Sequence, residues 1–414
     1  MECWGKPPPS HCPISPSPHS PITPSLHYSI TPLKILHLFG DWKWTGPAEP
    51  VVRLCAGLRQ RGHEVLFACK KGPAGYPRSV ETMAAEAGLK PITSFRFNKR
   101  LRLGHDVRDV SALLRLLNRE RPDIVHVHQR HEHFVAGAAA RRARRPVALV
   151  RTDHTAEPPK RGLVNRTLLG LLTDGFIVLS EAARAAACAK FGLAAEQVVK
   201  VDGAVDVARF DGERKWPDLR PSLGLQPSDV VVAIVARVQR HRRFDVFLKA
   251  MALAAKKQPN LRALIVGRGT HIRDVAVEPA RRLGLADKVI FPGYRGEDYP
   301  AVLAAMDMKV FLVPGSDGSC RAVREAMAMG KPVIAARRGM LPEIVDDGVT
   351  GLVIDDTPEN LAHAILRLAG DARLRHRLGR AGMEKARRAF SLAKQVHDVE
   401  RFYAAVLAHR RTEE

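Results

Sequence analysis

From Leu33 onward, short apolar runs alternate with stretches in which apolar residues recur every three or four positions. "KILHLFG" is a continuous apolar run closed by glycine and predicts a buried strand. "EPVVRLCAGLRQRG" then carries helical spacing and ends at Gly62. "HEVLFAC", "DIVHVH", "VALVRT" and "GFIVLS" predict further strands, and "DVRDVSALLRLLNRERP" an amphipathic helix between them. The rhythm restarts after "VVKVDGAVDVARF" with the strands "VVVAIVAR", "LRALIVG", "DKVIFPG", "MKVFLVPG", "KPVIAA" and "GLVI". Strand and helix alternating in this way predict parallel sheets covered by helices on both faces. Two such halves give an α/β chain of two Rossmann-like domains, residues 33–205 and 206–390, hinged near residues 205–225. The last helical pattern, residues 391–414, is expected to pack back on the first half.

Residues 1–32 break the pattern. This Pro/Ser/His-rich tract holds too little apolar surface to offset ordering entropy and is expected to be disordered; translation from a misassigned start codon would also explain it. The remainder is ample for two cores, with 45% hydrophobic residues in 414. No run approaches the roughly 18 apolar residues that span a bilayer, and no signal peptide is visible. Six cysteines without CxxC spacing suit a reducing cytoplasm.

Charge narrows the partners. The net charge of +23 points to something anionic. Residues 96–166 hold 17 Lys/Arg against 7 Asp/Glu, which fits an anionic membrane surface or a phosphorylated, lipid-linked acceptor. No nucleic-acid-binding module accompanies the excess, so nucleic acid is not expected.

Candidate chemistry concentrates in "VPGSDGSCRAVREAMAMGKPVIAA", residues 313–336. Ser319 reads as the N-cap of a helix running to Met329, with Gly330 and Pro332 as its stop. The backbone N–H groups of Gly318, Ser319 and Cys320 at such a helix start favour phosphate. Arg321 in the first turn opposes the helix dipole unless an anion is near, or else it forms an i,i+4 pair with Glu325. Asp317 and Glu325 would repel a bare phosphate. A nucleotide sugar resolves the conflict, since its hydroxyl pairs suit carboxylates and its diphosphate suits N–H groups and arginines.

The segment from Asp317 to Ile354 resembles the donor-binding signature of retaining glycosyltransferases of the GT-B fold, glycosyltransferase family four. Glu325 falls on the second of that family's paired glutamates, and Gly330, Pro332 and "EIVDDGVTGLV" match. "VARVQRHRRFDVFLKA" resembles the strand and loop whose arginine and lysine hold the diphosphate, with Arg237 and Arg242 in those places, and "ALIVGRG" resembles the strand that follows. The departures are Asp317 for the first glutamate, Arg243 for a glycine and Met340 for another. His154 in "VRTDHT" resembles the histidine that contacts the transferred sugar, and Gly46 the glycine of the first phosphate or acceptor loop. Trp42 and Trp44 suit either sugar stacking or rim packing.

What the resemblance implies is a retaining enzyme moving a sugar from a nucleotide-diphosphate donor to a glycan or lipid-linked acceptor, in lipopolysaccharide or exopolysaccharide synthesis. Arg237 and Arg242 would stabilise the departing diphosphate. Glu325 would hold ribose, Asp317 the transferred sugar and His154 an outer hydroxyl. No metal or other cofactor is expected, because cations hold the diphosphate. "HVHQRHEH" offers His126 and His128 on one strand face, but a zinc site needs further converging ligands; the segment reads as a strand end with polar loop residues. The rival readings are another GT-B enzyme such as an epimerase, or a catalytically weak nucleotide-sugar-binding or membrane-docking subunit. The location expected is cytoplasmic, peripheral on the membrane's inner face.

Overall fold

The computed structural model describes residues 31–44, 46–76, 78–98, 102–155, 160–314 and 317–413, with side chains 317–319 and 413 excepted. The Pro/Ser-rich tract expected to be disordered lies almost wholly outside the described residues. Pro32–Glu414 form one compact unit containing two parallel sheets.

The first sheet comprises β1 (Lys34–Phe39), β2 (Glu64–Cys69), β3 (Pro91–Ile92), β4 (Ile124–Val127), β5 (Ala148–Thr152), β6 (Gly175–Val178) and β7 (Val198–Lys200). Their order across the sheet is β3-β2-β1-β4-β5-β6-β7. The second comprises β8 (Val230–Val235), β9 (Leu261–Val266), β10 (Val289–Gly293), β11 (Met308–Phe311), β12 (Val333–Ala336) and β13 (Gly351–Ile354), ordered β10-β9-β8-β11-β12-β13. Within the two sheets the described strand pairings are parallel, and central strands such as β4, β5 and β12 are buried along their whole length. Burial on both faces explains why these strands read as unbroken apolar runs rather than alternating ones.

Each sheet reverses direction once, between β1 and β4 in the first and between β8 and β11 in the second. A doubly wound sheet opens a crevice at such a point, beyond the carboxyl ends of its strands. The four segments leaving those strands are Gly40 onward, His128 onward, Ala236–Arg243 and Leu312 onward. They carry most of the residues singled out in the sequence.

The C-terminal helix Leu392–Glu413 lies against the first half. Val396, Val399, Phe402, Tyr403 and Val406 share a core with Ile35, Leu54, Ile124 and Val150. Glu400, almost fully buried, receives Arg61 at 3.1 Å and His63 at 3.0 Å.

Candidate active site

The donor-type helix runs Asp317–Ala328. It begins three residues earlier than the sequence suggests, so Ser319 sits inside the first turn and is not its N-cap. The stop is as expected, for Gly330 takes the left-handed φ of 69°. The side chains of Asp317, Gly318 and Ser319 lie outside the described residues. Cys320 lies in the core at 0% exposure, so its thiol is not presented to a ligand.

Arg321 does more than pair along its own helix. Its Nε lies 3.2 Å from Glu325, and its Nη1 lies 2.6 Å from Glu49, on the helix Ala48–Gln60 of the first half. Burial disfavours charge on Glu49, but Arg321 and Arg53 outweigh it and hold the carboxyl below its usual range. The guanidinium therefore bridges the two halves. Glu325 is 6% exposed, and its carboxylate lies close enough to the buried Tyr299 phenol to act on it electrostatically. Burial and this carboxylate push the Tyr299 phenol well above its ordinary range, so it stays protonated. Lys309, fully buried on β11, donates to the Ala322 carbonyl and lends Glu325 favourable charge.

Arg242 ends a short turn, Arg240–Arg242, after β8. Its Nη1 donates to the Val313 carbonyl at 3.1 Å, and its Nε is buried without a partner among the described residues. Burial lowers its affinity for the proton without discharging it, and Cys320 in the first turn of the donor-type helix is its near neighbour. Arg243 follows at φ 61°. That conformation is cheap only for glycine, which accounts physically for the glycine expected there; Arg243 is tied down by Asp356, whose carbonyl it reaches at 2.9 Å.

Arg237 is exposed just beyond β8. Its neighbours are fixed by the glycines of "IVGRG". A Cβ on Gly267 would stand 2.1 Å from the Ala236 carbonyl oxygen, and one on Gly269 2.0 Å from that of Val238. Hydrogen bonds from Ala236 N to Val266 O and Val238 N to Arg268 O, both 3.1 Å, extend the β8–β9 ladder under Arg237.

In the first half, Gly46 occupies an exposed turn before the helix Ala48–Gln60. The glycine with a steric requirement is Gly40, where a Cβ would lie 2.2 Å from Glu132 Oε2. Glu132 closes a capping box with Gln129 at the start of the helix Arg130–Ala140. The histidine-rich segment differs from the polar loop expected. His126, His128 and His133 are buried, and His133 bonds Thr173 at 2.9 Å while His131 meets Asp106 at 3.1 Å.

His154 follows β5, and its Nε2 meets His128 Nδ1 at 3.1 Å. His128 Nε2 in turn meets His37 Nδ1 at 3.1 Å. His126 is held on both nitrogens, by Tyr403 Oη at 2.6 Å and Thr152 Oγ1 at 2.7 Å. His37, His126 and His128 place ring nitrogens within 4.8 Å of one another, close enough for a metal. Yet of their six nitrogens, those of His126 and His128 and Nδ1 of His37 are already hydrogen-bonded, so coordination would break this network. An apolar pocket beside His128 and His154 is walled by Val51, Leu54, Ile177 and Leu179.

Sequence reasoning missed Glu49, Tyr299 and Lys309, which act through tertiary contact alone. It also missed a second bridge between the halves. Glu343, on the short helix Leu341–Ile344, accepts the backbone N–H of Glu181 at 2.9 Å and pairs with Lys200 at 3.2 Å.

Comparison with known proteins agrees with this architecture. Residues 217–385 match the model of glycosyl transferases group 1, and residues 45–209 that of Glycosyltransferase Family 4. A D-inositol 3-phosphate glycosyltransferase of Actinosynnema mirum is 29% identical over 370 residues, covering 81% of this chain and 87% of the relative. Its namesake in a Mycobacterium species is 34% identical over 266 residues, where the match spans 56% of this chain and 55% of the relative. Among solved structures, a glycosyltransferase of Rickettsia africae superposes with a TM-score of 0.78 at 15% identity, over 91% of this chain and 99% of the other. Anabaena HepE in complex with UDP-glucose gives 0.71 at 21% identity, over 92% and 100%. The chain belongs to glycosyltransferase family four and has the GT-B fold.

Proposed function

We propose that this protein is a retaining, metal-independent glycosyltransferase that takes a hexose-type sugar from a nucleotide-diphosphate donor and passes it to a lipid-linked or glycan acceptor at an anionic membrane. The observation that carries the donor half is the placement of Arg242, a half-buried guanidinium with an unmet Nε beside the first turn of the Asp317–Ala328 helix. Oriented cations and free helix N–H groups in a partly desolvated crevice suit a diphosphate that gains charge as it departs. Arg237 completes the clamp from the β8 loop. Glu325, deep in the same crevice, suits ribose hydroxyls. His154, at the end of β5, contacts the sugar. HepE, crystallised with UDP-glucose, shares the fold and supports this kind of donor.

The acceptor half rests on the surface of the first domain. Leu103 is 75%, Val107 64%, Leu163 82% and Leu171 65% exposed. They lie on the helices Leu103–Glu120 and Leu163–Leu171, which flank Arg130–Ala140 with its exposed Phe134. Arg102, Arg108, Arg130, Arg161 and Arg166 are exposed among them, whereas Asp106, Asp109 and Glu132 are buried. Apolar side chains ringed by uncompensated cations suit the boundary of an anionic bilayer. Among the described residues no helix is long and apolar enough to cross a membrane, so the association would be peripheral.

A second reading has its own support, since the curated relatives are named for an inositol phosphate: a soluble phosphorylated polyol as acceptor. Incubation with a panel of labelled nucleotide sugars, with and without chelator, tests the donor and metal independence, and the anomeric configuration of the product tests retention. Flotation with vesicles of phosphatidylglycerol and phosphatidylcholine separates the acceptor readings. Membrane binding lost on Leu103→Asp with Leu163→Asp favours the lipid-linked acceptor; wild-type protein that stays with the soluble fraction favours the polyol.

A further inference from the structure

Glu325 ends a series of five charged side chains that crosses between the halves. Arg53 Nη1 lies 2.9 Å from Asp206 in the hinge, and its Nε lies 3.0 Å from Glu49, one helical turn earlier. Glu49 reaches Arg321 at 2.6 Å, and Arg321 reaches Glu325 at 3.2 Å. The signs alternate from Asp206 through Arg53, Glu49 and Arg321 to Glu325, and all five side chains line one pocket. They are 9–35% exposed, so their contacts are screened less than those of an open surface.

The series holds three carboxylates and two guanidiniums, and a guanidinium does not discharge in a protein. One negative charge is therefore in excess, and where it falls depends on how the arginines are shared. Within the series Glu49 faces both of them, whereas Glu325 faces Arg321 alone. Arg321 makes its shorter contact with Glu49. The closer its charge stands to Glu49, the less of the Glu325 charge it offsets. A carboxylate that keeps its charge is the stronger acceptor for a hydroxyl.

Glu49 is itself held in place from the hinge. Asp206, which binds Arg53, also accepts the Arg209 N–H on Oδ1 at 3.0 Å. Burial disfavours charge on Asp206, but the Arg209 N–H and Arg53 outweigh it and hold the carboxyl below its usual range. Glu49 and Arg53 belong to the first half, and Arg321 and Glu325 to the second, so the series is continuous only when the halves are together. We propose that Glu49 is a positioning residue for the donor: from the opposite half it draws Arg321 away from Glu325, so that Glu325 accepts the ribose hydroxyls at full strength only with the halves together. This rests on the reading of Glu325 as the ribose contact. It adds that donor affinity is set across the domain interface, and by linkage that a bound donor favours the joined halves to the same degree.

The test is calorimetry on the full-length protein with UDP, GDP and ADP, followed by the 2′,3′-dideoxy analogue of whichever binds tightest. The wild type should prefer the ribose form by about 10- to 100-fold, the range for hydrogen bonds to a charged group. Glu49→Gln, which keeps the shape of the side chain, should cut this preference to about threefold, as for a neutral hydrogen bond, and leave the affinity for the dideoxy analogue unchanged. In an Arg321→Gln background the same substitution should have no further effect. If Glu49→Gln does not fold, Glu49→Asp, with its charge kept but its reach shortened, should give a smaller loss of the same kind. A preference that survives in Glu49→Gln would overturn the proposal. So would an equal loss of affinity for both forms, which marks a purely structural role, or an undiminished effect in the Arg321→Gln background. A preference unchanged in Glu325→Gln would instead remove the ribose reading on which the proposal rests.

Discussion

Replacing Gly267 by alanine should disable the donor clamp without touching a residue that binds the donor. The added Cβ would stand 2.1 Å from the Ala236 carbonyl oxygen, and Gly267 has φ 146°, which a side chain resists. Relief requires the Ala236–Val238 segment to retreat by about 1 Å to reach ordinary van der Waals separation. Arg237 lies in that segment, and a displacement of this size can cost about a hundredfold in rate when the group acts on the reacting centre. The strained backbone should cost about 1–3 kcal/mol of stability as well, lowering Tm by several degrees and leaving the protein folded. The assay is kcat/KM for sugar transfer alongside thermal unfolding, with Arg237→Ala as the comparison. The two substitutions should give similar losses, and the double variant should be little worse than either. Gly269→Ala, aimed at the Val238 carbonyl, should behave alike. A Gly267→Ala protein that loses several degrees in Tm but keeps kcat/KM within about twofold would refute the reasoning.

Three further outcomes are expected. Glu325→Gln should weaken donor binding about 10- to 100-fold by calorimetry, the range for a lost charge-assisted hydrogen bond; an unchanged Kd would remove it from the donor site. Arg243→Gly should raise stability by about 1 kcal/mol in chemical denaturation, because relief of the left-handed φ outweighs a half-exposed pair with Asp356; a loss would show that the Asp356 contacts dominate. Lys309 is held at about 8 by burial, with partial compensation from Glu325. Between about pH 8 and 10 the unfolded chain therefore binds more protons than the folded one, and this group makes stability rise with pH by about 2–3 kcal/mol. The difference in unfolding free energy between wild type and Lys309→Met should grow accordingly across that window, and a constant difference would count against it.

The sequence made the central strands legible because both faces of a parallel sheet are buried, so β1, β4, β8 and β9 stand out as apolar runs. β3 and β7 escaped, having two and three residues at the sheet edges, too few to show a period. Glu325 and Arg242 could be singled out because their neighbours in sequence share their chemistry. Glu49 could not, since its partner Arg321 is 272 positions away along the chain and nothing near Glu49 in sequence marks it. The histidines mislead for a related reason. "HVHQRHEH" looks polar, yet register sets His126 beside His37 across β1 and β4, and rings that satisfy one another can be buried where isolated ones could not.

The C-terminal helix has a consequence for how the chain comes to fold. The Tyr403 hydroxyl that secures His126 is separated from it by 277 residues, and five residues of that helix complete the first domain's core. During synthesis the first half therefore emerges with part of its sheet bare, and the second half can finish before it. The amino-terminal core can close only after residues 392–413 have emerged, and long-range closure of this kind is slow. Chains ending near residue 390 should accordingly lose the amino-terminal half to proteolysis while the carboxy-terminal sheet survives, a reversal of the usual order in which domains mature.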